Sequence, residues 1–583
     1  MKYLFQTVLL ASACLWVQLG RAGDWPCYQG DASRSAVSSE KLSFPLAQTW
    51  EYRPTQPPRP AWPEPGRTLH LMDFDYALQP VAAGGLVFIA ASADDTVRAL
   101  DAQDGRERWH FTARGPLRFA PHLADGRCYF AGDDGFVYCL DAATGRLVWE
   151  FRAALDSRMM PGNQRMISRW PCRSGVLVAD GVVYATAGMW PSEGIYLYAL
   201  DAATGRVLWC NDTSASLYLP HPHDSASFGG PAPQGYLLAA KDVLLVPTGQ
   251  ASPAGFDRRT GRLLYCNLIS GGSSVTLAGD LFFIPRLKVT TEDHDVVQLG
   301  ENGPSEGDGL QALDLATGRL PAQRESRLSL TNRNSVLFHN QTLYAVGGGA
   351  VEALDVSRQG EPRRLWTGHH GRAYSMALAG DVLILGGAGT ITALRTADGQ
   401  PAWQVAVDGQ VRGLAIADGH LLAATEKGTV WCFSGKQQPA DKGRKPEASG
   451  PRLQAEARAE AAPTDSKGRA AEVLSGLPYA ESLRGYALVA GEADARLAEL
   501  LARGSLLHVV CVLTNQAVAA IEKDRLLREN DFYGTRLVVH HLEDHGTLPF
   551  ASYFANVVVV SGAAAGIPLA ELIKFRLPLE PKA

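Results

Sequence analysis

The sequence predicts an all-β propeller of eight four-stranded blades, followed by a linker and a small α/β domain. Three observations predict it: a short unit that keeps returning, the spacing of its copies, and a change of pattern after Gly435. The unit is clearest from Leu140 to Trp149, as Leu140-Asp141-Ala142-Ala143-Thr144-Gly145-Arg146-Leu147-Val148-Trp149, and again from Ala199 to Trp209. Looser copies begin at Leu100, Phe256, Leu313, Leu354 and Leu394, and Trp431-Cys432-Phe433-Ser434 closes the series.

Each copy reads as strand, tight turn, strand. The Asp can hydrogen-bond backbone two residues on, and the Gly supplies the positive φ that the turn needs. Apolar residues then alternate up to a Trp, the period of a half-buried strand. Copies lie about 40 to 60 residues apart, room for four short strands with insertions in the middle units. The shortest copy predicts all four, around Val81, at Leu86 to Ala91, Thr96 to Leu100 and Arg106 to Phe111. Repeats of this length mean propeller blades.

The pattern Ala-x-Asp-x-x-Thr-Gly-x-x-x-Trp, complete from Ala199 to Trp209, resembles the tryptophan docking motif of pyrroloquinoline-quinone (PQQ) propellers. That repeat occurs in quinoprotein alcohol dehydrogenases and in BamB-like assembly propellers, and the resemblance covers roughly residues 24–435. It implies that Trp109, Trp149, Trp209, Trp366 and Trp403 pack between blades. It specifies architecture and leaves activity open. Asp24-Trp25-Pro26 with Tyr28 and Gly30 resembles the opening of many such propellers. Leu46-Ala47-Gln48-Thr49-Trp50-Glu51 matches the outer strand at Trp149, so the strand near Trp50 is expected to complete the blade of Trp431, which leaves no open sheet edge.

Lys2, the apolar run from Tyr3 to Leu19 and Gly20-Arg21-Ala22 read as a signal peptide over residues 1–22, and the chain as exported, periplasmic or extracellular. An uncleaved anchor and a lipoprotein site at Cys14 are the alternatives. A net charge of −5 over 583 residues suggests neither nucleic acid nor an anionic membrane as partner. The cysteines beyond the leader are too few for a disulfide scaffold. Cys128 and Cys139 flank Gly132-Asp133-Asp134-Gly135, and a two-residue turn at Asp133-Asp134 would set them opposite one another, either as a disulfide or as two small buried hydrophobes.

Function is expected where the chain departs from the repeat. The insertion from Asp156 to Ser174 carries Arg158, Arg165, Arg169 and Arg173, either a grip for carboxylate or sulfate groups or arginines paired with acidic turns. The insertion from Ser216 to Gly235 carries His221, His223 and Asp224, metal-ligand types without a third partner, so no metal is assigned. The insertion from Arg286 to Gly309 is acidic, without calcium-loop spacing. In the quinoproteins a calcium ion and a vicinal disulfide accompany the quinone, and this sequence has no adjacent cysteines. It has no Gly-x-Ser-x-Gly elbow or His-Glu-x-x-His run either.

Residues 436–475 read as a disordered linker, with a helical patch from Leu453 to Ala462. Residues 476–583 then alternate strand and helix: strand 486–490, helix 493–503, strand 507–512, helix 516–530, strands 536–540 and 556–560. This succession looks like half of a Rossmann-like S-adenosylmethionine (SAM) methyltransferase. In that family the first strand enters a Gly-x-Gly-x-Gly loop; here the positions are Gly491, Ala493 and Ala495, and Leu513 and Thr514 stand where an acid would hold the ribose. SAM is therefore not expected.

The expected function is an exported, non-catalytic propeller that binds or assembles a protein or glycan partner at the cell envelope, with no cofactor. The alternatives are a PQQ-dependent oxidoreductase with calcium and a methyltransferase-like C-terminal activity.

Overall fold

Six four-stranded antiparallel sheets follow one another along the chain, at residues 81–112, 122–152, 177–211, 238–265, 276–330 and 335–369. The structure is a computed structural model that describes residues 23–62, 72–220, 226–249, 252–266, 275–285, 309–321, 329–330, 333–357, 362–435, 466–477, 483–542 and 548–560. Expectations for the leader, for His221, His223 and Asp224, for the third insertion and for the helical patch at 453–462 lie outside these residues.

The last β-sheet of the series is shared. Val382–Arg395 pairs its first half with Ala373–Ala379 and its second with the start of Pro401–Ala417. The remainder of Pro401–Ala417 pairs with His420–Thr425, which pairs with Val430–Ser434. Ala47–Tyr52 completes the sheet, with Trp50 opposite Cys432 and Glu51 opposite Trp431. Val382–Arg395 thus supplies two strands of one four-stranded unit, and Pro401–Ala417 runs on from that unit into the next. The first strands of successive units pack side by side, and Val81–Ala83 also packs against Pro401–Ala417, so the series curls back on itself.

Tryptophans bind neighbouring units together. The indole N–H groups of Trp50, Trp109, Trp149 and Trp209 donate to the carbonyls of Ala102, Ala142, Ala202 and Arg258, each in the turn of the following unit, at 2.9–3.1 Å. Trp366 does the same to Thr396, and Trp403 donates to Leu46 beside the closing strand. In the unit of residues 238–265 a tyrosine stands in, with Tyr265 donating to Leu315 at 2.7 Å. The aliphatic residues that alternate with these rings fill the seams between sheets. A buried side chain of this size contributes about 1.5–3 kcal/mol.

Cys128 and Cys139 are not directly opposed and form no disulfide, but both are small buried side chains, the other alternative. Cys128 lies opposite Leu140 and Tyr129 opposite Cys139, because the turn from Gly132 to Phe136 holds one residue more than a two-residue hairpin. A one-residue slip sends Cys139 to the other face of the sheet. Cys128 packs in one inter-sheet core and Cys139 in the next, and both thiols are free.

The C-terminal unit is a four-stranded parallel sheet in the order 537–541, 506–513, 484–490, 557–560. Its helices are α1 (Ser466–Ser475), α2 (Arg496–Arg503) and α3 (Gln516–Glu529). α1 falls in the stretch expected to be linker, because Ala470 buries itself against α2 in the core of the unit. α2 begins three residues later than its apolar spacing suggests. The turn 491–495 before it is taken up by local contacts, with the Asp494 carboxylate accepting from the N–H of Arg496.

Candidate functional site

Segments from the N-terminal part of the chain bind several of the sheets together. Segment 23–40 runs along the first strands of several units. Trp25 bridges to Ala82, Pro26 accepts from Leu123, Ala32 accepts from Ala239, and Val37–Ser38 pairs with Leu378–Ala379. Residues 53–62 and 72–79, between the closing strand and Val81, form a strap against several units. Its Arg59 N–H donates to Ser92 Oγ, its Trp62 indole to Gln234 and its Gln79 amide to the Arg412 carbonyl.

Segment and strap are joined by stacked rings. Tyr28 lies on Tyr236 at 3.7 Å and nearly parallel, Tyr236 meets Phe119 edge-on at 5.0 Å, and Phe119 stacks on Phe74 at 4.8 Å. Arg34, only 2% exposed, lies about 6 Å from both tyrosine rings and donates to the carbonyls of Tyr28 and Leu237. Burial pushes the phenols of Tyr28 and Tyr236 well above their ordinary range, so both stay neutral.

Beside this column lies a buried ion cluster. Arg118 donates to Asp133 at 2.6 Å, to Asp75 at 2.8 Å and to the Arg59 carbonyl at 2.7 Å, while Arg173 donates to the other oxygen of Asp133 at 2.6 Å. Two guanidinium groups and two carboxylates balance, which is the condition for burying them together. Burial raises Asp75 above the usual carboxylate range against the pull of Arg118. The cluster ties the strap, through Asp75, to the loops before and within the second and third sheets.

The four arginines of the first insertion do not converge on one ligand. Arg165 is buried and pairs with Asp95, Arg173 belongs to the cluster at Asp133, Arg169 pairs with Glu193, and exposed Arg158 pairs with Asp156. Arg158 and Arg169 also lie over the Trp170 ring. The insertion itself is a hairpin, Met159–Gly162 paired with Arg165–Ser168.

In the C-terminal unit, Gly491 keeps the positive φ of a tight turn, Ala493 is exposed and Ala495 is wholly buried. The N–H of Ala495, at the start of α2, donates to the Glu522 carboxylate of α3 at 3.2 Å, and Glu522 is held by Arg525. A helix N-terminus attracts anions through its free N–H groups; here the chain's own carboxylate takes that place. Glu492, beside the loop, is paired with Arg469 of α1.

Tyr28 and the Asp133-Asp134 turn were visible in the sequence, as an opening motif and as the link between two cysteines. Nothing in the spacing assigned Asp75, Arg118, Phe119 or Tyr236 a shared place, since the strap and loops that bring them together carry no repeat. Among the described residues, no group of three or more His, Cys, Asp or Glu side chains is placed to hold a metal, and no helix is long and apolar enough to cross a membrane.

The family described as outer membrane protein assembly factor BamB matches residues 48–361 and 349–473. A BamB of Yersinia pestis is 29% identical over 136 residues, 22% of this chain and 32% of the relative. The quinohemoprotein alcohol dehydrogenase of Comamonas testosteroni is 27% identical over 210 residues, 35% of this chain and 24% of the relative. The chain thus matches about a third or less of the length of each. The crystal structure of that dehydrogenase aligns over 73% of this chain and 82% of its own, with a TM-score of 0.45 and 16% identity. BamB from Moraxella catarrhalis aligns over 67% and 98%, with a TM-score of 0.32 and 15% identity.

Proposed function

This chain belongs to the family of the outer membrane protein assembly factor BamB, and from that premise we propose that it is an exported, non-catalytic eight-bladed propeller serving as a scaffold for a protein or glycan partner at the cell envelope. The eight units are the six separate sheets and the two halves of the shared one, closed by Ala47–Tyr52. The observation that carries the reading is the stacked column Tyr28, Tyr236, Phe119 and Phe74. These rings are packed against one another, and beside them Arg118 and Arg173 are paired with Asp75 and Asp133, with one buried Asp75 oxygen left over. Among the described residues no group of three or more His, Cys, Asp or Glu side chains is placed to hold the calcium that would accompany PQQ. The C-terminal unit is read as a partial Rossmann-like domain in which Glu522 stands where a cofactor's anionic group would meet α2, so it serves structure rather than methyl transfer.

Native mass spectrometry of the mature protein, with PQQ plus Ca²⁺ and separately with SAM, tests the proposal. No mass shift with either cofactor is expected. A stoichiometric shift with the quinone would overturn the scaffold reading in favour of a quinoprotein oxidoreductase, and a shift with SAM would revive the methyltransferase alternative.

A further inference from the structure

Among the described residues, the parallel sheet of the C-terminal unit has helices on one face only. α2 and α3 cover the face of Ala487, Val489, Val509, Cys511 and Val539. Strand order explains this. The crossovers through α2 and α3 step the same way across the sheet and, being right-handed, fall on the same side. The chain must then return past 484–490 to place Val557–Val560, and the described residues of that return form no helix.

A parallel sheet needs both faces covered. The second face carries Leu488, Ala490, Val510 and Val512, each at most 1% exposed. Among the described residues, the cover includes Leu548, Phe550 and Phe554 from the return, together with Met159 and Met166 of the propeller hairpin. Backbone joins the two layers. The Met159 N–H donates to the Pro549 carbonyl at 2.5 Å, and the Ala551 N–H to the Met159 carbonyl at 2.8 Å, which makes Met159 and Phe550 a parallel bridge. Polar contacts rim the seam: Gln56 donates to the Asp531 carbonyl at 2.8 Å, and His110 Nε2 lies 3.4 Å from the Asp524 carboxylate.

We propose that the hairpin Met159–Gly162/Arg165–Ser168 is a docking site for an apolar parallel-sheet face, and that the propeller thereby supplies the missing layer of the C-terminal unit. The unit's strands are then ordered only while the hairpin is seated. Flexible thioether side chains suit this role, since they fill the irregular gaps of a sheet's surface.

Hydrogen exchange of the full-length protein, read by mass spectrometry, tests this with Met159→Asp and Met159→Leu. A carboxylate placed in the seam cannot be hydrated there. In Met159→Asp the amides of 484–490 and 506–513 should exchange at least about tenfold faster, while 122–131 and 177–187 keep their protection; Met159→Leu should leave both sets unchanged. Phe550→Ala, on the other side of the seam, should reproduce the local loss. Unchanged exchange at 484–513 in Met159→Asp would overturn the proposal. So would a loss of protection spread equally over both units, since the hairpin would then serve the propeller's own folding.

Discussion

The Trp149 indole N–H donates to the carbonyl of Ala202 at 3.1 Å, and its ring lies so close over Gly205 that a β-carbon there would sit 2.8 Å from the ring. Trp149 and Gly205 occupy the same two places in successive copies of one motif, so a single repeated sequence builds both sides of every such seam. Gly205 also has φ +73°.

Gly205→Ala is therefore expected to destabilise the propeller by about 1–3 kcal/mol, through strain and the displaced ring. Trp149→Ala is expected to cost about 3–5 kcal/mol. Denaturant midpoints check both, and a variant as stable as the parent protein at either position would remove the seam from the account of stability.

Asp133→Asn takes the shared carboxylate from Arg118 and Arg173 and leaves a guanidinium uncompensated on arginine side chains only 2–3% exposed. A loss of about 3–5 kcal/mol is expected in chemical unfolding. Asp156→Asn, which pairs with exposed Arg158, should change stability by less than about 1 kcal/mol.

His110 joins the two units. Burial opposes its charge, but hydrogen bonds to Asp524 and Glu107 outweigh burial and raise its pKa from 6.5 to about 9. A group raised in the folded state stabilises fully below its unfolded value and ceases to do so as pH rises through the folded one. His110 should thus contribute on the order of 2 kcal/mol below about pH 6.5, lost between pH 6.5 and about 9. His110→Gln should flatten that part of the stability profile measured by thermal unfolding.

Cys128 and Cys139 face different cores and are free thiols. Peptide mapping without reductant should yield both as unlinked peptides, and reductant should leave the melting temperature unchanged. A linked pair would mean a register other than Cys128 opposite Leu140.

Glu522→Ala removes the acceptor at the start of α2 and the partner of Arg525. A loss of about 1–3 kcal/mol confined to the C-terminal unit is expected, read as faster exchange of α2 amides.

The sequence by itself determined the propeller class, because Asp, Gly and Trp recur at spacings that only a turn between two half-buried strands satisfies. It also determined the alternation of strand and helix after residue 483, which apolar runs of strand length and helical spacing spell out locally. The register at Cys128 was not legible, since one extra residue in a turn leaves no mark on composition yet reverses a face. Nor was α1, whose short polar sequence becomes helical against α2.

The tertiary structure decided which aromatic rings meet beside the strap and what the first insertion packs against. Tyr28, Phe74, Phe119 and Tyr236 come from segments far apart in the chain that follow no period, and their meeting depends on how the strap closes over the curved series of sheets. Met159 and Phe550 are separated by most of the molecule in sequence and meet because a parallel sheet has two apolar faces and, among the described residues, helices cover one of them. Periodicity reports which side of a strand is apolar. Which distant surface covers it is settled by packing, where one face's need for cover meets the other's shape.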